Sequence, residues 1–254
     1  VVNRHFPDGE RYIRVLMDVN EQDVVVIQNT FPDKKIVELL LILQAVKEAG
    51  AKTVTCVIPY MGYSRQERIF QSGEARSAKA IASVIGGMCD RVFTINVHTP
   101  EILKFFGCEA NDINGSREVV RYLKGFGPDM VIAPDEGSRD RCTLAADLLK
   151  VPVHVMKKVR IDGRTVETSS GQINVKGSTA VILDDIISTG GTIATAANIL
   201  REGGAERVFA ACTHGLFIED AANRLRVCDD ILSSDTLEGV YTRFSVAPAI
   251  ADAL

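Results

Sequence analysis

The sequence predicts an α/β protein made of two similar, doubly wound domains with largely parallel sheets. Three observations carry this reading. Short apolar runs suited to buried parallel strands alternate with helical apolar spacing along the chain. Polar clusters fall just after the strands, at the edge where open α/β sheets bind ligands. The alternation ends near residue 115 and begins again, which suggests a duplication, although residue identity between the halves is weak. The domains are therefore placed at residues 1–115 and 116–254, with the final helix packing back on the first domain.

In order, Pro7-Asp8-Gly9 is turn chemistry, and taken alone residues 4–10 read as a surface hairpin. Residues 24–28 form a strand and Phe31-Pro32-Asp33 a turn. Residues 35–49 form a helix with Leu39, Leu40, Leu43 and Val46 at helical spacing and Gly50 as its stop. A strand at 53–59 leads into Tyr60-Met61-Gly62-Tyr63-Ser64-Arg65-Gln66-Glu67-Arg68. Arginine can fork onto phosphate and Gln or Tyr can meet a base, but a solvated charged loop reads the same way. A helix at 75–86 and a strand at 91–97 follow, ending at His98, where a lone histidine is more often structural than a ligand. Residues 102–106 are a short helical piece and 107–115 a loop. The second half offers a helix at 117–123, a strand at 130–133, the cluster 134–141 and a helix to Lys150. A strand at 153–156 precedes Lys157-Lys158-Val159-Arg160, and 161–178 is a mobile loop or hairpin. A strand at 207–213, a helix at 220–226, a strand at 230–233 and a terminal helix at 246–254 complete the chain.

The richest stretch is 180–193. Val181, Ile182 and Leu183 form a buried strand that ends at Asp184 and Asp185. Ser188, Thr189, Gly190, Gly191 and Thr192 make a turn, and Ile193, Ala196, Ala197 and Leu200 share one face of the helix that follows. Strand, small-residue turn and helix present backbone N–H groups and a helix N-terminus to a phosphate. Two carboxylates beside that cradle would repel the ligand unless they face hydroxyls or a cation, so the combination asks for a sugar phosphate. No Lys follows the glycines, which excludes a Walker loop.

Bulk properties add limits. At 254 residues, 46% hydrophobic and 24% charged, the chain is an ordinary soluble globular protein. A net charge of −4 gives no pull toward nucleic acid or anionic membrane. The cysteines at 56, 89, 108, 142, 212 and 228 lack metal-type pairing and read as free thiols of a reducing, cytoplasmic compartment. There is no signal peptide and no membrane-length apolar run.

The turn at 184–192 resembles the phosphoribosyl-diphosphate motif of type I phosphoribosyltransferases and of ribose-phosphate pyrophosphokinases, and by itself does not separate them. Phe6-Pro-Asp-Gly-Glu10, Ser64-Arg-Gln-Glu-Arg68, His98-Thr-Pro-Glu-Ile102, Pro134-Asp135, Lys158-Val-Arg160, Thr213-His-Gly-Leu-Phe217 and Ser245-Val-Ala-Pro248 stand in the order of the pyrophosphokinases. The resemblance covers nearly the whole chain and looks most like the shorter, archaeal members. It implies two domains of the type I phosphoribosyltransferase kind and transfer of a diphosphoryl group from MgATP to the 1-hydroxyl of ribose 5-phosphate, giving phosphoribosyl diphosphate and AMP. It implies Ser188–Thr192 on the 5-phosphate, Asp184 and Asp185 on ribose hydroxyls, Arg160 on ribose 5-phosphate, and Lys158 with Arg160 as catalytic cations. Arg65 and Gln66 would hold ATP, with Asp8, Gly9 and Glu10 lent by a neighbouring subunit of a homo-oligomer. His98 and Asp135 would meet Mg²⁺ or its water shell. Without the resemblance Lys158 would read as a solvated surface lysine. Two departures stand out: Asn96 replaces the Asp usual two residues before the histidine, and the family's first strand and helix are missing ahead of Val1. A phosphoribosyltransferase and a non-catalytic regulatory subunit are the alternative readings. The ATP-type segments weigh against the first, and retention of Lys158 and Arg160 against the second.

Overall fold

The computed structural model describes residues 1–161, 165–169 and 174–254, with 157–161 and 165–169 described by backbone alone. Two compact units emerge, Val1–Ile113 and Asn114–Leu254.

The smaller unit opens with an antiparallel hairpin, β1 (Val2–His5) and β2 (Arg11–Arg14), as the Pro-Asp-Gly turn predicts. A parallel sheet follows: β3 (Asp23–Ile27), α1 (Lys34–Glu48), β4 (Thr53–Ile58), α2 (Ser77–Gly86), β5 (Arg91–Ile95), a short 3₁₀ turn (Pro100–Phe105) and β6 (Glu109–Ile113). The strand order is β3-β4-β5-β6, that of the chain itself. Leu39, Leu43 and Val46 of α1 and Ala78, Ala82 and Ile85 of α2 bury one face against Val26, Val54, Cys56, Ile58 and Val92. β6 corrects the expectation of a loop at 107–115. Glu-Ala-Asn-Asp-Ile has poor strand propensity, but ladder pairing from Arg91↔Glu109 to Ile95↔Ile113 imposes the strand on it. As an edge strand it carries its charges toward water.

The larger unit runs α3 (Ser116–Leu123), β7 (Met130–Ala133), α4 (Arg139–Leu149), β8 (Val153–Val155), β9 (Lys157–Ile161), β10 (Thr165–Ser169), β11 (Thr179–Ile187), α5 (Gly191–Glu202), β12 (Arg207–Gly215), α6 (Ala221–Arg224), β13 (Asp230–Ser234), β14 (Thr242–Phe244) and α7 (Ala247–Ala253). Six parallel strands are ordered β14-β13-β12-β11-β7-β8. Alternate residues feed two cores. Ala180, Ile182 and Ala210 pack with Ile193, Ala196, Ala197 and Leu200 of α5. Val181, Leu183, Phe209 and Ala211 pack with Val119, Val120 and Leu123 of α3 and with Cys142, Ala145 and Ala146 of α4. Both faces of the sheet are thus covered, and its strands read as continuous apolar runs for that reason.

Smaller differences have local causes. β9 and β10 pair antiparallel from Ile161↔Thr165 to Lys157↔Ser169, so the paired segment starts at Lys157, ahead of the 161–178 expected as a mobile loop or hairpin. The helix expected at 220–226 is α-helical only to Arg224 and tightens into a 3₁₀ turn at Leu225–Val227. β14, three residues long, was too short to show a period. The strand expected to stop at Leu183 continues to Ile187, because β12 pairs with it as far as Gly215.

Candidate active site

The strand order of the larger unit reverses between β7 and β11. β8 lies beyond β7 on one side, whereas β12 and β13 extend from β11 on the other. Such a switch point opens a crevice at the carboxyl edge of the sheet. Pairing shows where it opens: β7 follows β11 only from Ala180 to Ile182, while β12 accompanies it to Ile187. Asp135 follows β7 at this edge and Asp184 and Asp185 lie in the end of β11.

These carboxylates form one polar network. Asp135 Oδ1 accepts from the Ser138 amide at 3.2 Å. Ser138 Oγ, 3.2 Å from the same oxygen, donates to Asp184 Oδ1 at 2.7 Å. Arg141 Nη1 reaches Asp184 Oδ1 at 3.2 Å and Asp185 Oδ1 at 3.0 Å. The Asp185 and Ile186 amides donate to the Asp184 and Asp185 carboxylates respectively, each at 2.9 Å. Two carboxylates therefore share one guanidinium. Burial, then repulsion from Asp185, raises the Asp184 carboxyl to about 7, against the smaller pull of Ser138 and Arg141. The Asp184 side chain is 16% exposed and that of Asp185 5%, so Asp184 is the member open to a ligand.

The turn beyond β11 is held from behind. Leu216 and Phe217 amides donate to the Ile187 carbonyl at 2.9 and 3.2 Å, and the Ile218 amide to the Ser188 carbonyl at 3.1 Å. Arg224 Nη1 donates to the Thr189 carbonyl at 3.0 Å. Three successive carbonyls are thus drawn toward the 216–224 segment. Gly190 then turns with φ +75° and lies against Leu225, whose Cγ is 3.0 Å from where a β-carbon would stand. A side chain there would meet both a strained backbone and a packed leucine. Gly191 opens α5, whose N-terminus has no side-chain cap. The orphan amides of that first turn are a ready anion site. The described structure thus brings together Asp135, Asp184, Asp185 and the Ser188–Thr192 turn.

Of the other predicted residues, those of the smaller unit sit on separate loops. Arg65 is exposed. Gln66 is half-buried, its Oε1 accepting from Ser77 Oγ at 3.2 Å. Their loop is tied to the β3–α1 connection: Thr30 Oγ1 accepts from the Gly62 amide at 2.7 Å, and Tyr63 donates its hydroxyl to Asp33 at 2.6 Å. Asp8, Gly9 and Glu10 form the exposed tip of the first hairpin, with Asp8 Oδ1 accepting from the Glu10 amide. The body of that hairpin is pinned to α1 by Arg11 and Glu38, 3.5 Å apart. His98 follows β5, beyond Asn96 at φ +44°. Asn and Asp are the side chains that best tolerate this left-handed backbone. Asp112 of β6 supports the turn, its Oδ1 accepting from Thr94 Oγ1 at 2.6 Å and the Val97 amide at 2.9 Å. Lys158 and Arg160 lie on β9; their side chains fall outside the described residues. Ser138, Arg141 and Arg224 carry no role in the sequence reading. Ser138 and Arg141 had one available signal: they follow a strand end in the same half as Asp184.

Fold and site define a class: an open parallel α/β protein with a carboxylate network and an uncapped helix start at the carboxyl edge of its sheet. Comparison with known proteins narrows it. The family model for the N-terminal domain of ribose phosphate pyrophosphokinase matches residues 1–88, and that for the phosphoribosyl transferase domain matches 114–246. The ribose-phosphate pyrophosphokinase of Methanopyrus kandleri is 38% identical, aligned over 98% of this chain and 88% of its own length. That of Methanosarcina mazei is 40% identical over 98% and 84%. The crystal structure of phosphoribosylpyrophosphate synthetase from Mycobacterium smegmatis superposes with a TM-score of 0.85 at 29% identity, covering 99% of this chain and 88% of that one. The chain belongs to the ribose-phosphate pyrophosphokinase family.

Proposed function

We propose that this chain is a ribose-phosphate diphosphokinase, moving the diphosphoryl group of MgATP to the 1-hydroxyl of ribose 5-phosphate and releasing AMP. The observation that carries this reading is the Asp184–Thr192 strand, turn and helix at the switch point of the larger unit, in a chain whose smaller unit matches the kinase-specific N-terminal family. That smaller match also weighs against a plain phosphoribosyltransferase.

In this reading the 5-phosphate lies on the amides and hydroxyls of Ser188–Thr192. Asp184 accepts sugar hydroxyls, and Asp185 stands behind it by anchoring Arg141. Arg65 and Gln66 hold ATP, and a neighbouring copy of the chain adds Asp8, Gly9 and Glu10. Diphosphoryl transfer needs alignment and neutralised charge more than covalent chemistry. Lys158 and Arg160, cations on a β hairpin in the same unit as the turn, supply the neutralisation. They are retained where a non-catalytic regulatory subunit would lose them.

The donor set fits magnesium. No group of three or more His, Cys, Asp or Glu side chains among the described residues is arranged to hold a metal by itself. Mg²⁺ keeps several waters and is bound through one or two carboxylates plus substrate phosphates. Asp135 offers such a carboxylate, and His98 fits a water of the hydrated ion better than the ion itself. Thr99 Oγ1, next in sequence, is buried without a partner among the described residues, a group that a bound water or phosphate would satisfy. When bound, the ion would neutralise phosphate charge. No helix among the described residues is long and apolar enough to cross a membrane.

The test is to incubate the protein with MgATP and ribose 5-phosphate and separate the nucleotides. AMP formed in step with phosphoribosyl diphosphate, and dependent on both substrates, is expected. ADP would point to an ordinary kinase, and no turnover to the regulatory reading.

A further inference from the structure

Three of the six cysteines meet in the smaller unit, away from every residue assigned above. Cys56 lies in β4, Cys89 just ahead of β5 and Cys108 just ahead of β6. Strand register brings them together: Cys56 pairs with Val92 and Arg91 with Glu109, so the heads of β5 and β6 are neighbours at the amino edge of the sheet. Cys56 and Cys89 belong to one apolar cluster, against which Cys108 packs. The Cys89 thiol donates to the Ile85 carbonyl at 3.4 Å and the Cys108 thiol to the Glu109 carbonyl at 3.7 Å, and both other thiols lie close enough to Cys89 to shift its titration. Cys56 and Cys89 are buried, whereas Cys108 is partly open to solvent.

We infer that Cys89 and Cys108 are a reversible oxidation site, closing to a disulfide when a hydroperoxide reaches the cluster. The thiol of Cys89 is the one prepared to react. The Cys56 thiol and, against the cost of burial, the Cys108 thiol hold it below its ordinary range. Cys108 heads the neighbouring strand and is partly open to solvent, which makes it the resolving partner; burial pushes its thiol up to about 11. The Cys89 thiolate attacks one peroxide oxygen; the O–O bond breaks, hydroxide leaves and is protonated to water, and a sulfenic acid remains. The Cys108 sulfur then attacks the Cys89 sulfur. The S–S bond forms, the S–O bond breaks, and the oxygen leaves as water with the Cys108 proton. Two thiols lose two electrons to one peroxide. The bond would close residues 89–108 into a ring containing β5, Asn96, His98 and the Pro100–Phe105 turn, and so restrict opening of the His98 segment.

The test exposes the whole protein to hydrogen peroxide, alkylates remaining thiols in denaturant and maps peptides without reduction. The expected product is a Cys89–Cys108 cross-link with the loss of two hydrogen masses, reversed by dithiothreitol. It should be absent in Cys108→Ser and present in Cys228→Ser, which removes the other partly exposed thiol. Amide exchange across residues 96–106 should slow by about tenfold or more in the bonded form. Full alkylation of Cys89 and Cys108 after peroxide, or a bond from Cys89 to Cys56, would overturn the assignment. Unchanged exchange in the bonded form would overturn the link to the His98 segment.

Discussion

In the smaller unit the strands cross the sheet in chain order, β3 to β6; in the larger unit the order reverses between β7 and β11. Both are parallel sheets fed by alternating strands and helices, yet only the reversal makes a crevice between two strand ends. Around it Asp135, Ser138, Asp184, Arg141 and Asp185 form one network, tied by bonds of 2.7–3.2 Å. The residues proposed for ATP in the smaller unit stand instead on loops, with Arg65 exposed and the Asp8–Glu10 tip bonded within itself. A buried polar network is rigid and costly to charge; exposed loop residues are cheap to hold and act only when a ligand meets them. In the proposed function, ribose 5-phosphate would therefore meet a pre-organised network in the larger unit, and ATP would meet exposed loops in the smaller.

The largest effect should come from Lys158→Ala, with turnover falling by about 10²–10³-fold and ribose 5-phosphate binding nearly unchanged, since one electrostatic stabiliser is lost. Steady-state kinetics beside direct binding would check it, and unaltered turnover would remove Lys158 from the mechanism. Asp184→Asn should weaken ribose 5-phosphate by about 10–100-fold, the value of charged hydrogen bonds, with the KM for ATP little changed. An equal loss for both substrates would break the division between units.

The same substitution should stabilise the apo fold, because it leaves one carboxylate for one guanidinium. The sign follows from the raised value. Between 3.8 and about 7 the folded chain keeps a proton that the unfolded chain has lost, so stability falls as pH rises through this window and is level above it. Asp184→Asn should therefore gain about 2–4 kcal/mol at pH ~8 and almost nothing near pH ~4, measured by urea unfolding.

Arg65→Ala should raise the KM for ATP by about tenfold and leave ribose 5-phosphate alone, the mirror of Asp184. The smallest change is expected from Arg224→Ala, which removes the donor on the Thr189 carbonyl. A rise of about 3–10-fold in the KM for ribose 5-phosphate, at constant kcat and partly restored by Lys, would show that the turn is set from behind. No change would mean that the amides of 216–218 suffice.

Much of this was legible in the chain. Val181–Leu183 announced a buried strand because parallel strands covered on both faces need apolar residues at every position. Ser188–Thr192 announced a tight turn into a helix, and the structure has Gly190 at φ +75° ahead of an uncapped helix start. Glu109–Ile113 did not announce a strand, since its residues fit one only when a neighbour supplies the hydrogen bonds. Apart from their place after a strand end, Ser138 and Arg141 look by sequence like any polar loop and helix start, for their meaning lies in Asp184, far along the chain.

By itself, then, the sequence determined the fold class and the family, because periodicity and short motifs are local properties of neighbouring residues. The tertiary structure alone decided where the strand order turns back, that Asp184 and Asp185 share one arginine, that the turn carbonyls are held by the 216–224 segment, and that three distant cysteines meet. Each of these is a contact between residues remote in sequence. Burial and shared charge, which set the Asp184 carboxyl near 7, exist only once the chain has closed around them.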